Sequence, residues 1–489
     1  MRNEGIALAC EQRAGAQCPH FPFVLAAYFL LQLVLRVTSP AVLDLDEAEA
    51  ILMSQHLQLG YGSQPPLYAW LQWLMFSLFG VNLLALSVQK NLLLFLTYLA
   101  MFYTARAFIG MGSATIVAAS LVLLPQLGWE SQRDLTHSVL ATCMAALTLW
   151  CYVSLLRYRS RTRYALFGLL IGLGLQSKYN FAVFACGLLA ASLLVREHRQ
   201  ALWRGDAWIT FAVLALALTP HALWLLDHVD LATGSTLEKM HGDEERHAGT
   251  VARGLGSMLG ASILFATPLW IVYGWIWWRH RSQAGARLDS SQARFFLWFY
   301  LTAFVCVTAL VLSGELIKIK SRWLQPILFL LPLAFFAVFP SLAQASVRRG
   351  ILWVAGVFAI LILAGLSARA HVGKNARAPF GELSAQLMLR FPQAKTLVAS
   401  DLADAGNLYL HNPAWTVMLL PAMLKSRPAM RGDVLLIDSG GQANRRFDRF
   451  LKAYPSGVVR QRGRLVVGKP QDPQGAMAVD YALVSLKDA

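Results

Sequence analysis

Long apolar runs and short polar stretches alternate along the chain from residue 21 to residue 367. A membrane-crossing helix needs roughly 20 mostly apolar residues. Runs approaching that length fall near residues 21–37, 83–105, 113–127, 138–156, 164–177, 180–195, 207–226, 255–278, 294–313, 322–340 and 350–367, which predicts about eleven spans. The fifth and sixth are short, and Lys178 falls between them. After residue 367 the long runs stop. A helical pattern over 380–389 precedes short β-rich runs at 396–399, 433–437, 465–467 and 481–485, the mark of a small α/β domain of roughly 120 residues. Three parts are expected: a tail over 1–20, a membrane domain over 21–367 whose first outer loop covers 38–82, and a soluble domain over 368–489. Within that loop, residues 46–59 carry helical periodicity. Gly60-Tyr61-Gly62 breaks it, and Pro65-Pro66 opens a second apolar stretch over 67–79. Two helices lying along the membrane surface fit this pattern.

Composition agrees with a polytopic α-helical membrane protein. The 489 residues are 56% hydrophobic and only 14% charged, against about 25% charged in soluble domains. The net charge of +16 would suggest nucleic acid in a soluble protein. Here the arginines sit in short loops and act as topological markers, so no nucleic-acid partner is expected. Arg157, Arg159, Arg161 and Arg163, then Arg196, Arg199 and Arg204, then Arg279, Arg281 and Arg287, then Arg348 and Arg349 occupy alternate loops. Those loops are expected to be cytoplasmic. The N-terminus then faces the cytoplasm, and the domain after residue 367 lies outside a bacterial inner membrane. The first apolar run lacks a small-residue cleavage site and reads as a retained span. Cys10 and Cys18 precede it, the other cysteines lie in apolar runs, and no disulfide framework is expected.

Polar residues on the non-cytoplasmic side need another reason. Directly after the first span stands Asp44-Leu45-Asp46-Glu47-Ala48-Glu49. Carboxylates beside a bilayer are costly unless used. Asp44 and Glu47 have the spacing of an N-cap with its capping box. Asp46 and Glu47 then fall in the first helical turn, where ionised carboxylates are favoured. Such a carboxylate can serve as a general base or hold a divalent cation, Mg or Mn. Tyr61, Gln64, Tyr68 and Trp70 follow, with rings suited to a membrane interface. Three more runs carry isolated cations: Glu130-Ser131-Gln132-Arg133-Asp134-Leu135-Thr136-His137, Lys178-Tyr179-Asn180, and Lys318-Ile319-Lys320-Ser321-Arg322-Trp323. Arg133 can pair with Asp134. Lys178 can snorkel to lipid headgroups, and the third run can bind headgroups or phosphate. His221, Asp227, His228 and Asp230 form a looser group without diagnostic metal spacing. A lipid-linked sugar phosphate fits the whole set. Cations would hold its phosphate at the membrane surface while a carboxylate deprotonates an acceptor hydroxyl.

Four runs in this order resemble the bacterial dolichyl-phosphate-mannose–protein mannosyltransferase-like family, glycosyltransferase family 39 (PMT_2), which shares the GT-C fold with lipid A aminoarabinose transferase. They are Asp46-Glu47-Ala48-Glu49 with Gly60-Tyr61 and Gln64-Pro65-Pro66-Leu67; Arg133-Asp134-Leu135-Thr136-His137; Gly172-Leu173-Gly174-Leu175-Gln176-Ser177-Lys178-Tyr179; and Lys320-Ser321-Arg322-Trp323-Leu324-Gln325-Pro326. The likeness covers most of residues 20–340. It implies inverting transfer from a polyprenyl-phosphate sugar donor to an envelope acceptor, protein or glycolipid. It implies Asp46 as base, with Glu47 beside it. Lys178 and Arg322, supported by Lys320 and Arg133, would hold the carrier phosphate. Tyr61, Gln64, Asp134, His137 and Tyr179 would contact substrate. Where the aminoarabinose transferase carries Glu-Lys before its loop proline, this chain has Ser63-Gln64, so that enzyme's acceptor site does not carry over.

The competing reading is a transporter or lipid flippase. That function calls for ionisable residues in mid-span and repeated halves, and the sequence has neither. A non-catalytic scaffold would have no use for Asp46, Lys178 and Arg322.

Overall fold

The computed structural model describes residues 20–232, 249–314, 316–372, 378–468 and 476–486. The expected tail, with Cys10 and Cys18, lies outside these apart from His20. Contacts divide the chain into two compact units. The first comprises Met1–Gln32, Gln58–Tyr68 and Lys90–Leu363; the second comprises Leu33–Leu57, Ala69–Gln89 and Ala364–Ala489.

Every expected apolar run lies on helix, but not always as a full span. Among the described residues five helices are long and apolar enough to cross a membrane: Leu83–Phe108, His137–Arg157, Gly205–Asp227, Ser291–Leu312 and Ala345–His371. Three bent helix pairs raise the number to eight when each is taken as one span. The bends have local causes. Leu124 is extended (ψ 110°) because Pro125 follows it, and the helices on either side meet at 74°. Pro268 stands in the first turn of helix Thr267–Arg279, which meets Val251–Phe265 at 68°. The run expected over 322–340 is likewise broken, with prolines starting both Gln325–Leu328 and Leu331–Val338. Helices Phe21–Val37, of 17 residues, and Arg161–Leu175, of 15, fall short of full bilayer length.

The second unit is built on a five-stranded sheet of order β2-β1-β3-β5-β4. Its strands are β1 (Thr396–Ala399), β2 (Thr416–Leu419), β3 (Gly432–Asp438), β4 (Gly457–Val467) and β5 (Met477–Leu486). β2, β1 and β3 run parallel, β5 is antiparallel to β3, and β4 is antiparallel to β5. The run Val434-Leu435-Leu436-Ile437 is apolar throughout because β3 is covered on both faces. Leu435 and Ile437 join one core cluster; Val434 and Leu436 join another with Phe447 and Phe450 of helix Ala443–Ala453. The four expected β-runs correspond to β1, β3, β4 and β5, and the expected helix is Phe380–Arg390. β2 and the helices Leu402–His411 and Ala443–Ala453 were not foreseen.

The sequence drew the domain boundary as one cut after residue 367, and the packing redraws it. Two segments of the expected first loop, around helices Leu45–Met53 and Leu67–Phe79, share the second unit's core. Leu43, Ala48, Ile51, Phe76 and Leu83 cluster there with Leu383, Leu387 and Leu408. Helix Leu402–His411 crosses helix Leu45–Met53 at Gly406, where a Cβ would stand 2.5 Å from the Ala48 Cα. Asn407 accepts from the Leu43 N–H at 2.8 Å and donates to its carbonyl at 3.3 Å. Gln55 grips the Val417 backbone in the same two-way fashion, at 2.9 and 3.0 Å. These hydrogen bonds join residues 362 and 364 positions apart, so no local pattern announces them.

Candidate active site

In the first unit, four polar runs singled out by sequence are tied together. The chain turns at Tyr61–Gln64, whose backbones exchange hydrogen bonds of 3.1 and 3.2 Å around Gly62. Tyr61 Oη accepts from the Gln58 N–H at 2.9 Å. Burial pushes the Tyr61 phenol pKa up, and that hydrogen bond opposes the rise. Just before the turn, a Cβ on Gly60 would lie 2.3 Å from the Trp224 ring; only glycine lets the loop rest on that indole. Trp224 belongs to a column of stacked rings, with Tyr179 on His221, His221 on Trp224, and Trp224 on His228 at centroid distances of 5.9, 5.7 and 4.7 Å. His221 Nδ1 is 2.7 Å from the Leu59 carbonyl. A carbonyl only accepts, so Nδ1 carries a proton, and Nε2 lies 3.2 Å from Tyr179 Oη. His221 and His228 are thus parts of a packed aromatic column. Among the described residues no group of three or more His, Cys, Asp or Glu can hold a metal ion.

Beyond the turn, the Leu67 N–H donates to the Gln176 carbonyl at 3.1 Å. The buried rings of Tyr68 and His137 pack 5.1 Å apart, and His137 Nδ1 approaches the Ser177 carbonyl at 3.4 Å. Lys178 Nζ donates to Ser138 Oγ at 2.6 Å. Asn180 Nδ2 donates to the Trp323 carbonyl at 2.6 Å, and Gln126 Nε2 to Ser321 Oγ at 3.0 Å. Ser321–Trp323 is a single 3-10 turn, so Arg322 sits between two tethered neighbours. Lys178 and Arg322 are half-buried, whereas Lys318 and Lys320 are exposed. Half-burial strengthens a charge's interactions while leaving it reachable.

Arg133 bonds Glu130, with Nη2 and Nε at 2.6 and 3.1 Å from Oε2. The π-helical turn Gln126–Glu130 runs on into helix Ser131–Arg133, so Glu130 sits one turn before Arg133 on the same face. Ser138 and Gln126 escaped the sequence reading because neutral residues in apolar helices carry no signal of their own.

The acidic run lies in the second unit, and its members differ sharply. Asp44 occupies the N-cap of helix Leu45–Met53, yet its carboxylate makes no capping hydrogen bond. It is held by Arg369 at 2.9 and 2.8 Å. Glu47, 2% exposed, accepts from Arg36 at 2.8 Å. That bond takes the place of the capping box. Asp46, one residue earlier in the same first turn, stays half-buried.

The fold recurs in solved structures. Crystal structures of ArnT from Cupriavidus metallidurans, in the apo state and bound to undecaprenyl phosphate, both match at TM-score 0.61. They cover 94% and 95% of this chain and 97% and 98% of theirs, at 13% identity. The chain has the GT-C fold, that of multi-pass membrane glycosyltransferases. A family model described as dolichyl-phosphate-mannose-protein mannosyltransferase matches residues 63–224. Two relatives from Rhizobium johnstonii match almost throughout. The lipopolysaccharide core galacturonosyltransferase RgtB is 34% identical over 86% of this chain and 87% of its own. RgtA, of the same description, is 33% identical over 85% and 86%. The lipid A galacturonosyltransferase RgtD is 28% identical over 57% of this chain. The chain belongs to this family of membrane glycosyltransferases.

Proposed function

We propose that the protein transfers a uronic acid residue from a polyprenyl-phosphate donor to a lipopolysaccharide acceptor, on the periplasmic face of a bacterial inner membrane. The observation that carries this reading is the 34% identity to a lipopolysaccharide core galacturonosyltransferase along nearly the whole chain. The lipid-phosphate donor is supported by the fold neighbour bound to undecaprenyl phosphate. It is also supported by the half-buried Lys178 and Arg322, cations that cytoplasmic retention does not explain.

In this reading Asp46 takes the proton of the acceptor hydroxyl as its oxygen attacks the anomeric carbon. The bond from that carbon to the phosphate oxygen breaks, the electron pair leaves with the carrier phosphate, and the configuration inverts. Lys178 and Arg322 stabilise the charge that grows on the phosphate, so they favour the transition state over the ground state. Glu47 stays with Arg36 and supports the helix that carries Asp46.

The test uses purified protein in proteoliposomes with a polyprenyl-phosphate galacturonate donor and lipopolysaccharide, read by mass spectrometry of the product. Asp46→Asn lowers turnover by about 100-fold or more while the melting temperature stays unchanged. Wild-type turnover in that variant removes Asp46 from the mechanism. Transfer of a neutral hexose in preference to the uronate overturns the donor assignment.

A further inference from the structure

The C-terminal part of the second unit holds a cleft of about 520 Å³ that the transfer reaction leaves unused. It opens between the start of helix Ala443–Ala453 and the β4–β5 hairpin. Arg445, Gln442 and Asn444 line one wall, Arg462 and Asp480 the other, and Phe447 lies behind them. β4 is an edge strand carrying Arg460, Arg462 and Arg464. Charged side chains on an edge discourage pairing with other strands, and this accounts for two of them. Arg460 reaches Ser485 at 3.1 Å and Arg464 reaches Asp480 at 3.9 Å.

Arg462 is placed differently. Its guanidinium lies 5.8 Å from the centre of the Phe447 ring, 3.5 Å from Asn444 Oδ1 and 3.4 Å from Asp448 Oδ1. It is thereby drawn to the wall that carries Arg445. Arg445 is exposed and has neither an ion-pair nor a hydrogen-bond partner among the described residues. Arg446, its neighbour, is by contrast bonded to the buried Asp438.

The volume lies in the range of small-ligand sites, a few hundred to about 1,000 Å³. Two arginines rooted on facing walls, with the Arg462 guanidinium drawn toward the Arg445 side, match the paired oxygens of a carboxylate or phosphate. The amides of Gln442 and Asn444 can donate to and accept from hydroxyl groups. We propose that this cleft binds an anionic saccharide, one bearing a carboxylate or a phosphate, as a docking site for the acceptor's glycan. The ligand chemistry follows from the cleft; its assignment to the acceptor rests on the transferase reading above.

The test measures binding of trigalacturonate to the full-length protein in neutral detergent by calorimetry, with maltotriose as the uncharged control. Wild type binds trigalacturonate more tightly than maltotriose by about tenfold or more, and the Arg445→Glu/Arg462→Glu double variant loses a similar factor. Arg449→Glu, an exposed arginine on the same helix outside the cleft, retains wild-type binding. Equal binding of maltotriose, unchanged binding in the double variant, or an equal loss in Arg449→Glu each overturn the proposal. Loss of lipopolysaccharide transfer in the double variant without any trigalacturonate binding points to lipid headgroups instead, and also overturns it. Binding needs neither donor nor turnover, so absence of uronate transfer leaves the binding result standing. In the same way, absent binding leaves the transferase assay intact.

Discussion

Arg369 holds Asp44 by both arms of its guanidinium, at 2.9 and 2.8 Å, across 325 residues of chain. This pair fastens the start of helix Leu45–Met53 to the C-terminal end of helix Ala345–His371. Both side chains are about a quarter to a third exposed, so solvent screens part of their attraction. In a double-mutant cycle of Asp44→Asn and Arg369→Gln, the coupling should be about 1 kcal/mol. Arg369→Lys should recover little of it, because an ammonium cannot bond both carboxylate oxygens in one plane. Zero coupling would show that this pair does not fasten the helix.

Glu47 and Arg36 form a more buried pair, and it separates structural from catalytic roles in the acidic run. Glu47→Ala leaves Arg36 on the carbonyls of Pro40 and Val42 and should cost about 3 kcal/mol, as loss of one partner of a buried pair does. The Arg36→Met/Glu47→Met variant removes both charges and should fold nearly as well as wild type by thermal melting. It should keep measurable transfer activity. Complete inactivity in that well-folded variant would make Glu47 part of the chemistry.

Lys178 and Arg322 are proposed to serve one leaving phosphate. Each alanine variant should reduce turnover at saturating donor by about tenfold or more, with acceptor KM little changed. The double variant should fall less than the product of the two single losses. Ser138→Ala should have a smaller effect than Lys178→Ala, since Ser138 only orients the ammonium. Wild-type turnover in both single variants would leave these cations as headgroup contacts.

Asp404 gives the second unit a pH signature. Burial, with the neighbouring Asp401 and Asp438 carboxylates, raises its pKa to about 6, against a hydrogen bond from Ser439. An acid whose pKa is higher folded than unfolded binds its proton more tightly in the fold. The resulting stabilisation is complete below the unfolded value near 3.9 and is lost as pH rises through about 6. Asp404→Asn should therefore stabilise the protein at about pH 7, and its advantage should shrink as pH falls toward about 4.5. A difference between the two melting curves that is independent of pH would remove Asp404 as the titrating group.

The sequence alone determined the membrane class, the helices under the apolar runs, four of the five strands and the polar runs with chemical potential. It could do so because apolar run length, strand propensity and stray cations are local properties. The bends at Leu124 and Ala266 were half-visible: the prolines stand in the sequence, but a run of apolar residues hides a change of direction. β2 was missed because Thr416–Leu419 is short, and its place is decided by pairing with β1. Only the tertiary structure decided the partners of the acidic run. Asp44 and Glu47 have capping-box spacing, yet Arg369 and Arg36 take their carboxylates, because a charge-assisted bond to a guanidinium is stronger than one to a neutral backbone N–H. The same holds for the links from Lys178 to Ser138 and from Asn180 to Trp323. Residues 40 and 143 positions apart meet because helices pack side by side, and no short stretch of sequence encodes that packing.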